Sequence, residues 1–279
     1  MSKPLSLALL LALGLLVTPP LPAATVFQFT VTDFTDTPPA VDRSVLTVRG
    51  RDLRLDSGFR GGPTPGASTI YHGNMRSLTV LLHQTGQAMV FNARTGTRIA
   101  KFLEKTRKQW DQAISKLPEE EREAARRRLV QRYPGMGAEA TASDQPIVLR
   151  KMTDVGTTNG FDWVRWEAVE GKTKVREYQV TGAARIPGGH QTVEVIADMS
   201  SYLQQLTRDL GGQIPMQNPF LEIAKLDGFP AVIRSFAAGS VERETVLDSA
   251  ASEKVGADLF KNPGYQVLDP IELLGEMRP

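Results

Sequence analysis

Short runs in which apolar and polar residues alternate dominate the chain from residue 25 onward. Phe27, Phe29 and Val31 fall on one face of a first run, with Gln28, Thr30 and Thr32 on the other. Val45 to Val48 and Asp52 to Asp56 flank Gly50-Arg51, and Leu53 and Leu55 alternate with Asp52, Arg54 and Asp56, the pattern of a half-buried hairpin. Gly61-Gly62-Pro63-Thr64-Pro65-Gly66 suits neither a helix nor a central strand and reads as a loop. Strands resume at Ile70-Tyr71, Leu78 to Leu82 and Ala88 to Phe91. The period then lengthens. Leu103, Trp110, Ile114 and Leu117 recur at helical spacing. After Pro118 a second helical run carries Glu119, Glu120, Glu121 and Glu123 early and Arg126, Arg127 and Arg128 late, a charge order that complements the helix dipole. Residues 100–132 therefore predict two helices broken near Pro118, closed by Pro134-Gly135-Met136-Gly137.

Strand patterns return at Ile147 to Lys151, Phe161 to Val169, Lys174 to Val180 and Thr192 to Ile196. Tyr202, Leu203, Leu206 and Leu210 form one apolar stripe, predicting a helix over 199–210 that Gly211-Gly212 ends. Gly160-Phe161 precedes a turn at Gly171, and Gly228-Phe229 precedes a turn at Gly239, which reads as successive hairpins of one antiparallel meander. The expected fold is α+β: one curved antiparallel sheet, with the helical pair and one further helix packed on it, in a single domain over 25–279.

The first residues have a different character. Lys3 precedes a 13-residue apolar run from Leu5 to Val17, and Thr18-Pro19-Pro20-Leu21-Pro22-Ala23-Ala24 follows. That is the order of a secretory signal peptide over 1–24, and the run is shorter than the roughly 20 residues a membrane-spanning helix needs. Cleavage near Ala24 would leave a periplasmic or secreted protein beginning near Thr25. With no cysteine at the cleavage point to carry acyl chains, no stable membrane anchor is expected.

Composition removes several chemistries. No cysteine is present, which excludes disulfides, thiolate metal sites and a cysteine nucleophile. The formal charge of +2 gives no bulk attraction for nucleic acid. His72, His83 and His190 lie in separate segments without metal-ligand spacing, so no metal is expected. No Gly-x-Ser-x-Gly elbow occurs. Gly135-Met136-Gly137-Ala138-Glu139-Ala140 imitates a dinucleotide fingerprint, but a helix pattern precedes it where that mechanism needs a strand, and no cofactor is expected. Asp33 and Asp36, close together in a Thr-Pro-rich stretch, are the kind of carboxylate pair that 31 acidic residues produce by chance.

Two regions remain as candidates. Residues 101–132 hold ten basic and six acidic residues, so positive charge gathers there. Arg126, Arg127 and Arg128 form either a solvated helix face or a basic surface for an envelope partner or anionic lipid. If Phe161 to Val169 pairs with Lys174 to Val180 around Gly171, then Val164, Trp166, Tyr178 and Val180 share one face, while Trp163, Arg165 and Glu177 share the other. Tryptophan on both faces is unusual for a sheet with one wet side. Packed core and the lining of an apolar groove both account for it.

The blocks Ile70-Tyr71-His72-Gly73, Leu117-Pro118-Glu119-Glu120-Glu121-Arg122, Asn159-Gly160-Phe161, Gly228-Phe229-Pro230 and Leu259-Phe260-Lys261-Asn262-Pro263-Gly264-Tyr265 occur in an order that resembles a bacterial family of exported proteins, domain of unknown function 4412. That family is similar in architecture to the periplasmic lipoprotein carriers of the LolA and LolB type. The resemblance implies an open half-barrel with helices over its groove, and suggests a non-enzymatic envelope protein. Its partner would be a lipid or other apolar small molecule, bound in the concave face of the sheet. Val164, Trp166, Tyr178 and Val180 are the expected lining. The alternative is a protein-interaction module that uses the basic helical insert.

Overall fold

The computed structural model describes residues 23–59, 61–132, 146–209 and 219–274. Twelve strands form one open sheet: β1 (Ala23–Asp33), β2 (Ala40–Arg49), β3 (Asp52–Ser57), β4 (Ala67–His72), β5 (Ser77–Leu82), β6 (Gln87–Phe91), β7 (Ile147–Thr158), β8 (Phe161–Glu170), β9 (Thr173–Thr181), β10 (Phe229–Ala237), β11 (Ser240–Lys254) and β12 (Gln266–Leu268). Their order is β12-β6-β5-β4-β3-β2-β1-β11-β10-β9-β8-β7. Two antiparallel meanders, β1 to β6 and β7 to β11, are thus joined where β1 pairs with β11 over Ala23↔Lys254 to Asp33↔Arg243. Among these strands only β12 runs parallel to its neighbour, β6. The fold is α+β with a mostly antiparallel sheet, in agreement with the alternation in the sequence.

Turn chemistry fixes the second meander. Asn159 and Gly160 both take positive φ between β7 and β8, the backbone that a two-residue hairpin turn requires. At the outer edge, β7 carries Arg150, Lys151 and Asp154 and an irregularity between Lys151 and Val155, features that discourage further strand pairing.

Among the described residues five helices accompany the sheet: α1 (Ala93–Ser115), α2 (Glu119–Arg132), α3 (Gly189–Asp209), α4 (Pro219–Ile223) and α5 (Pro270–Leu274). The break between α1 and α2 falls at Pro118 as the sequence predicts, but α1 starts at Ala93 rather than near residue 100. Asn92 caps it by accepting a hydrogen bond from the Thr95 amide, and Gly96 lets the helix close on Leu206. The pair docks mainly on other helices. Ile99, Leu103 and Ile114 cluster with Leu206 of α3, Ile271 of α5 and Phe91 of β6, so the expected packing against the open sheet face is replaced by packing at its end.

The larger correction is α3. Thr192 to Ile196, expected as a strand, lies inside this helix. Thr192, Val195, Ile196, Met199, Tyr202, Leu203 and Leu206 are all buried, and burial of that stripe overrides the β preference of the branched residues. Helix α3 lies on one face of the sheet, where side chains from β5 through to β8 join it in a single core. Strands as far apart in the sheet as β5 and β8 share this one core with α3, which requires the sheet to curve toward the helix and makes this its concave face. Phe27 and Phe229 stack in that core with ring centroids 4.7 Å apart. On the convex face, Phe260 from the segment after β11 covers Ile70, Leu81 and Ala88.

Residues 1–22, the expected turn at Pro134 to Gly137 and the helix end at Gly211-Gly212 lie outside the described residues. Strand β1 begins at Ala23. Among the described residues no helix is long and apolar enough to cross a membrane.

Candidate binding cavity

Between the concave face and the helices lies a cavity of about 720 Å³, within the range of small-molecule sites. Its walls come from β1, β2, β3, β10 and β11, and its roof from Ile196 of α3 with Phe220 and Ile223 of α4. Because strand side chains alternate, the wall changes in steps of two residues. Along β1 the inward positions read Phe29, Val31, Asp33; along β2 they read Leu46, Ser44, Asp42, Ala40; along β10, Ile233 then Ser235; along β11, Thr245 then Arg243. The pairings Phe29↔Ser44, Val31↔Asp42, Val31↔Thr245 and Thr245↔Ile233 set these series side by side. The β1, β10 and β11 walls are apolar or uncharged at the inner end and polar at the level of Asp33, Ser235 and Arg243; on β2 the polar residue is Asp42, one step deeper, and the apolar Ala40 pairs with Asp33. From Phe29 to Asp33 the change takes four residues, about 13 Å at the rise of a strand.

The rim is acidic. Asp33, Asp36 and Asp42 line it, and among the described lining residues Arg243 is the cation. Arg243 is held 2.9 Å from Asp33. Hydrogen bonds from Thr35 and then from Arg243 lower the Asp33 pKa to about 2, so this carboxylate is ionised at any physiological pH. The carboxylate pair that composition alone assigns to chance is part of this rim.

Beside the cavity, on the strand next to its β10 wall, is a buried polar cluster. Glu222 of α4 accepts a hydrogen bond from the Tyr178 hydroxyl at 2.6 Å and pairs with Arg176. All three side chains are buried. Burial raises the Glu222 carboxyl above its ordinary range, with Tyr178 and Arg176 pulling the other way. Burial and the neighbouring carboxylate raise Tyr178 as well. The Ser200 hydroxyl donates to the Phe220 carbonyl at 2.8 Å and ties α4 to α3. Helix α4 is thereby clamped over β9, and the concavity is filled there.

The structure brings together the aromatic residues named from the sequence. Val164 faces Val180 and Trp166 faces Tyr178 across β8 and β9. None of the four lines the cavity. Tyr178 and Val180 are buried in the main core, whereas Val164 and Trp166 are half-buried, with Lys151 Nζ 5.5 Å from the centre of the Trp166 ring. They share a face with it, since Tyr178 pairs with the lining residue Ile233. Trp163, on the convex face, is explained by its neighbour: its ring lies over Gly156, where an added Cβ would come within 2.5 Å of it, and its Nε1 donates to Thr158 Oγ1 at 3.0 Å. Arg126, Arg127 and Arg128 are exposed on α2 and take no part in the cavity.

Sequence reasoning missed a second polar cluster, on the convex face under the segment that follows β11. Ser68 is fully buried and donates to Asp56, which also accepts from Arg54 Nε at 2.8 Å. His83 Nε2 lies 2.6 Å from Ser68 Oγ, and His83 Nδ1 lies 2.9 Å from the Tyr265 hydroxyl. The residue types are those of a hydrolase triad in the wrong order: the carboxylate meets the serine, and a tyrosine meets the histidine. With no exposure at Ser68, this chain of hydrogen bonds is a fastening for the C-terminal segment. Its members come from β3, β4, the end of β5 and the residues just before β12, so only pairing of the strands reveals it. His72 sits 3.2 Å from Asp52, and His190 is exposed at the start of α3. Among the described residues no group of histidines and carboxylates is arranged to hold a metal.

No known family model matches the chain, and no curated protein matches it in sequence. Among solved structures it is similar to an uncharacterised conserved protein from Thermus thermophilus, at 9% identity and a TM-score of 0.42, over 87% of this chain and 89% of that one. It is also similar to PNGF-II, at 6% identity and a TM-score of 0.40, over 91% of this chain and 32% of that one. The chain therefore spans about a third of PNGF-II. Likeness this remote says nothing of ligand or activity.

Proposed function

We propose that this protein is an exported, non-enzymatic envelope protein that holds an amphiphilic, lipid-like molecule in the concave face of its sheet. The observation that carries this reading is the stepwise change from Phe29, Leu46 and Ile233 to Asp33, Asp42 and Ser235 along neighbouring strands. An apolar chain satisfies the inner end, and a polar head satisfies the outer one. Export is supported by the Lys3, Leu5 to Val17 and Ala23-Ala24 order. Kinship with the LolA and LolB type of carrier is part of the same proposal, supported by an open curved sheet with a helix across its concavity and a cavity beneath. The test is mass spectrometry of small molecules that co-purify with the protein from its native envelope. An amphiphile recovered in stoichiometric amount is expected; recovery of the protein with nothing bound, and failure to load it with alkyl amphiphiles afterwards, would end the proposal.

A further inference from the structure

Helix α1 turns a row of cations to solvent. Arg94, Arg98, Lys101, Lys105 and Lys108 recur at alternate spacings of four and three, and Lys116, just past the helix end, continues the row. At 3.6 residues per turn all of them fall within an arc of about 80°, opposite Ile99, Leu103 and Ile114, which are buried against the other helices. Every one is exposed, and at 1.5 Å per residue the row is about 33 Å long. Arg98 pairs with Asp269 and Lys108 with Glu104, whereas Arg94, Lys101, Lys105 and Lys116 have no carboxylate partner among the described residues.

Helix stability does not account for this row. The first turn of α1 holds no acidic residue, so Arg94 stands at the positive end of the dipole, whereas α2 has Glu119, Glu120 and Glu121 there. Cations three and four positions apart also repel one another, and the row therefore costs the helix stability. We propose that this face of α1 docks on an anionic lipid bilayer. Beside the cations the outward arc carries Thr97, Gln109, Gln112 and Ser115, with none of the aromatic or apolar anchors that centre a protein interface. Apolar surface occurs only at one flank, where Lys105 and Lys116 edge a hollow of about 560 Å³ bounded, among the described residues, also by Phe102, Gln109, Gln112 and Ala113. An anionic head group with the first carbons of its chain satisfies both the lysines and the Phe102 wall. The straight row beyond the hollow matches a plane of such head groups, to which each lysine or arginine adds a similar increment of attraction. The proposal goes beyond the cavity reading and does not depend on it.

Vesicle sedimentation tests this, with equal parts of phosphatidylglycerol and phosphatidylcholine against phosphatidylcholine alone. Binding to the anionic vesicles is expected to exceed binding to the neutral ones by about tenfold or more at low salt, and to fall steeply as salt is raised. Lys101→Gln with Lys105→Gln should weaken it by about tenfold or more. Lys172→Gln with Lys254→Gln, an equal change of charge at exposed positions in the β8–β9 turn and at the end of β11, should leave it within about twofold. Because like charges are removed from α1, the first variant should unfold at the same temperature as the wild type or higher. Equal binding to both vesicles, binding to neither, a loss matched by the sheet variant, or a lowered unfolding temperature in the α1 variant would overturn the proposal. So would tighter binding to polyglutamate than to the anionic vesicles at equal concentration of anionic groups, which would assign the row to an acidic protein. Each of these outcomes leaves the cavity reading standing, since dodecyl maltoside binding reports on that separately.

Discussion

Ile233 and Tyr178 face each other across the β10 and β9 register, yet Ile233 lines an open cavity while Tyr178 is sealed in the core with its hydroxyl on Glu222. Neighbours on one rung of one face thus have opposite roles, and the difference is the five-residue helix α4. Where Glu222 anchors that helix the concavity is full. Where Phe220 and Ile223 only roof it, the concavity is open.

That anchor should behave as a buried ion pair. Glu222→Leu leaves Arg176 charged and buried without its partner, and is expected to destabilise the protein by about 3–5 kcal/mol. The combined replacement Arg176→Met, Tyr178→Phe and Glu222→Leu removes every orphaned group and is expected to cost less than the single change. Urea unfolding of the two variants checks this. A triple variant weaker than the single would mean that the cluster is not the self-contained unit described.

The convex-face fastening should weaken in acid. Burial first, and then Arg54, lower the His83 pKa from its ordinary value of about 6.5. The unfolded chain therefore binds the proton more readily than the folded one in this window. Stability rises with pH there, and falls as pH drops from 7 through 6.5 toward the lowered folded value. Protonation also places a donor at Nδ1 against the Tyr265 hydroxyl. Thermal unfolding between pH 7 and 5 should show a steeper loss for the wild type than for His83→Gln; parallel profiles would remove His83 from the account.

Gly228 opens β10 at a φ of +143°, a conformation that residues with a side chain rarely adopt, and a Cβ there would collide with the Thr181 carbonyl oxygen. Gly228→Ala should cost roughly 1–3 kcal/mol and shift the Phe229 end of the cavity. Denaturant unfolding measures the first effect, and weaker binding of dodecyl maltoside the second. Unchanged stability would contradict the stated geometry.

How much of this is legible in the sequence follows from how far each cause reaches along the chain. The β8 and β9 hairpin can be read because Gly171 and the alternation around it are local, and the pairing of Trp166 with Tyr178 comes with them. Thr192 to Ile196 reads as a strand because β-branched residues favour one when only five positions are viewed. The signal that corrects it is the apolar stripe Val195, Ile196, Met199, Tyr202, Leu203, Leu206, which continues at helical spacing. The cavity is not legible. Asp33 and Asp42 meet through the β1 and β2 register, Arg243 arrives from 210 residues away, and the roof depends on α4, whose five residues give no periodicity to detect. The face of the sheet follows from alternation; the place along it follows from a side-chain clamp that no spacing announces.

The central claim is that an alkyl chain occupies the space beneath Ile196, Phe220 and Ile223, and calorimetric titration with alkyl maltosides from octyl to dodecyl tests it most directly. Each added methylene buried in the cavity is worth about 0.8 kcal/mol, so affinity should rise roughly fourfold per carbon with a negative heat-capacity change. Ile233→Trp should abolish binding while retaining cooperative unfolding. Affinity that stays level with chain length, or that Ile233→Trp leaves intact, would contradict the account.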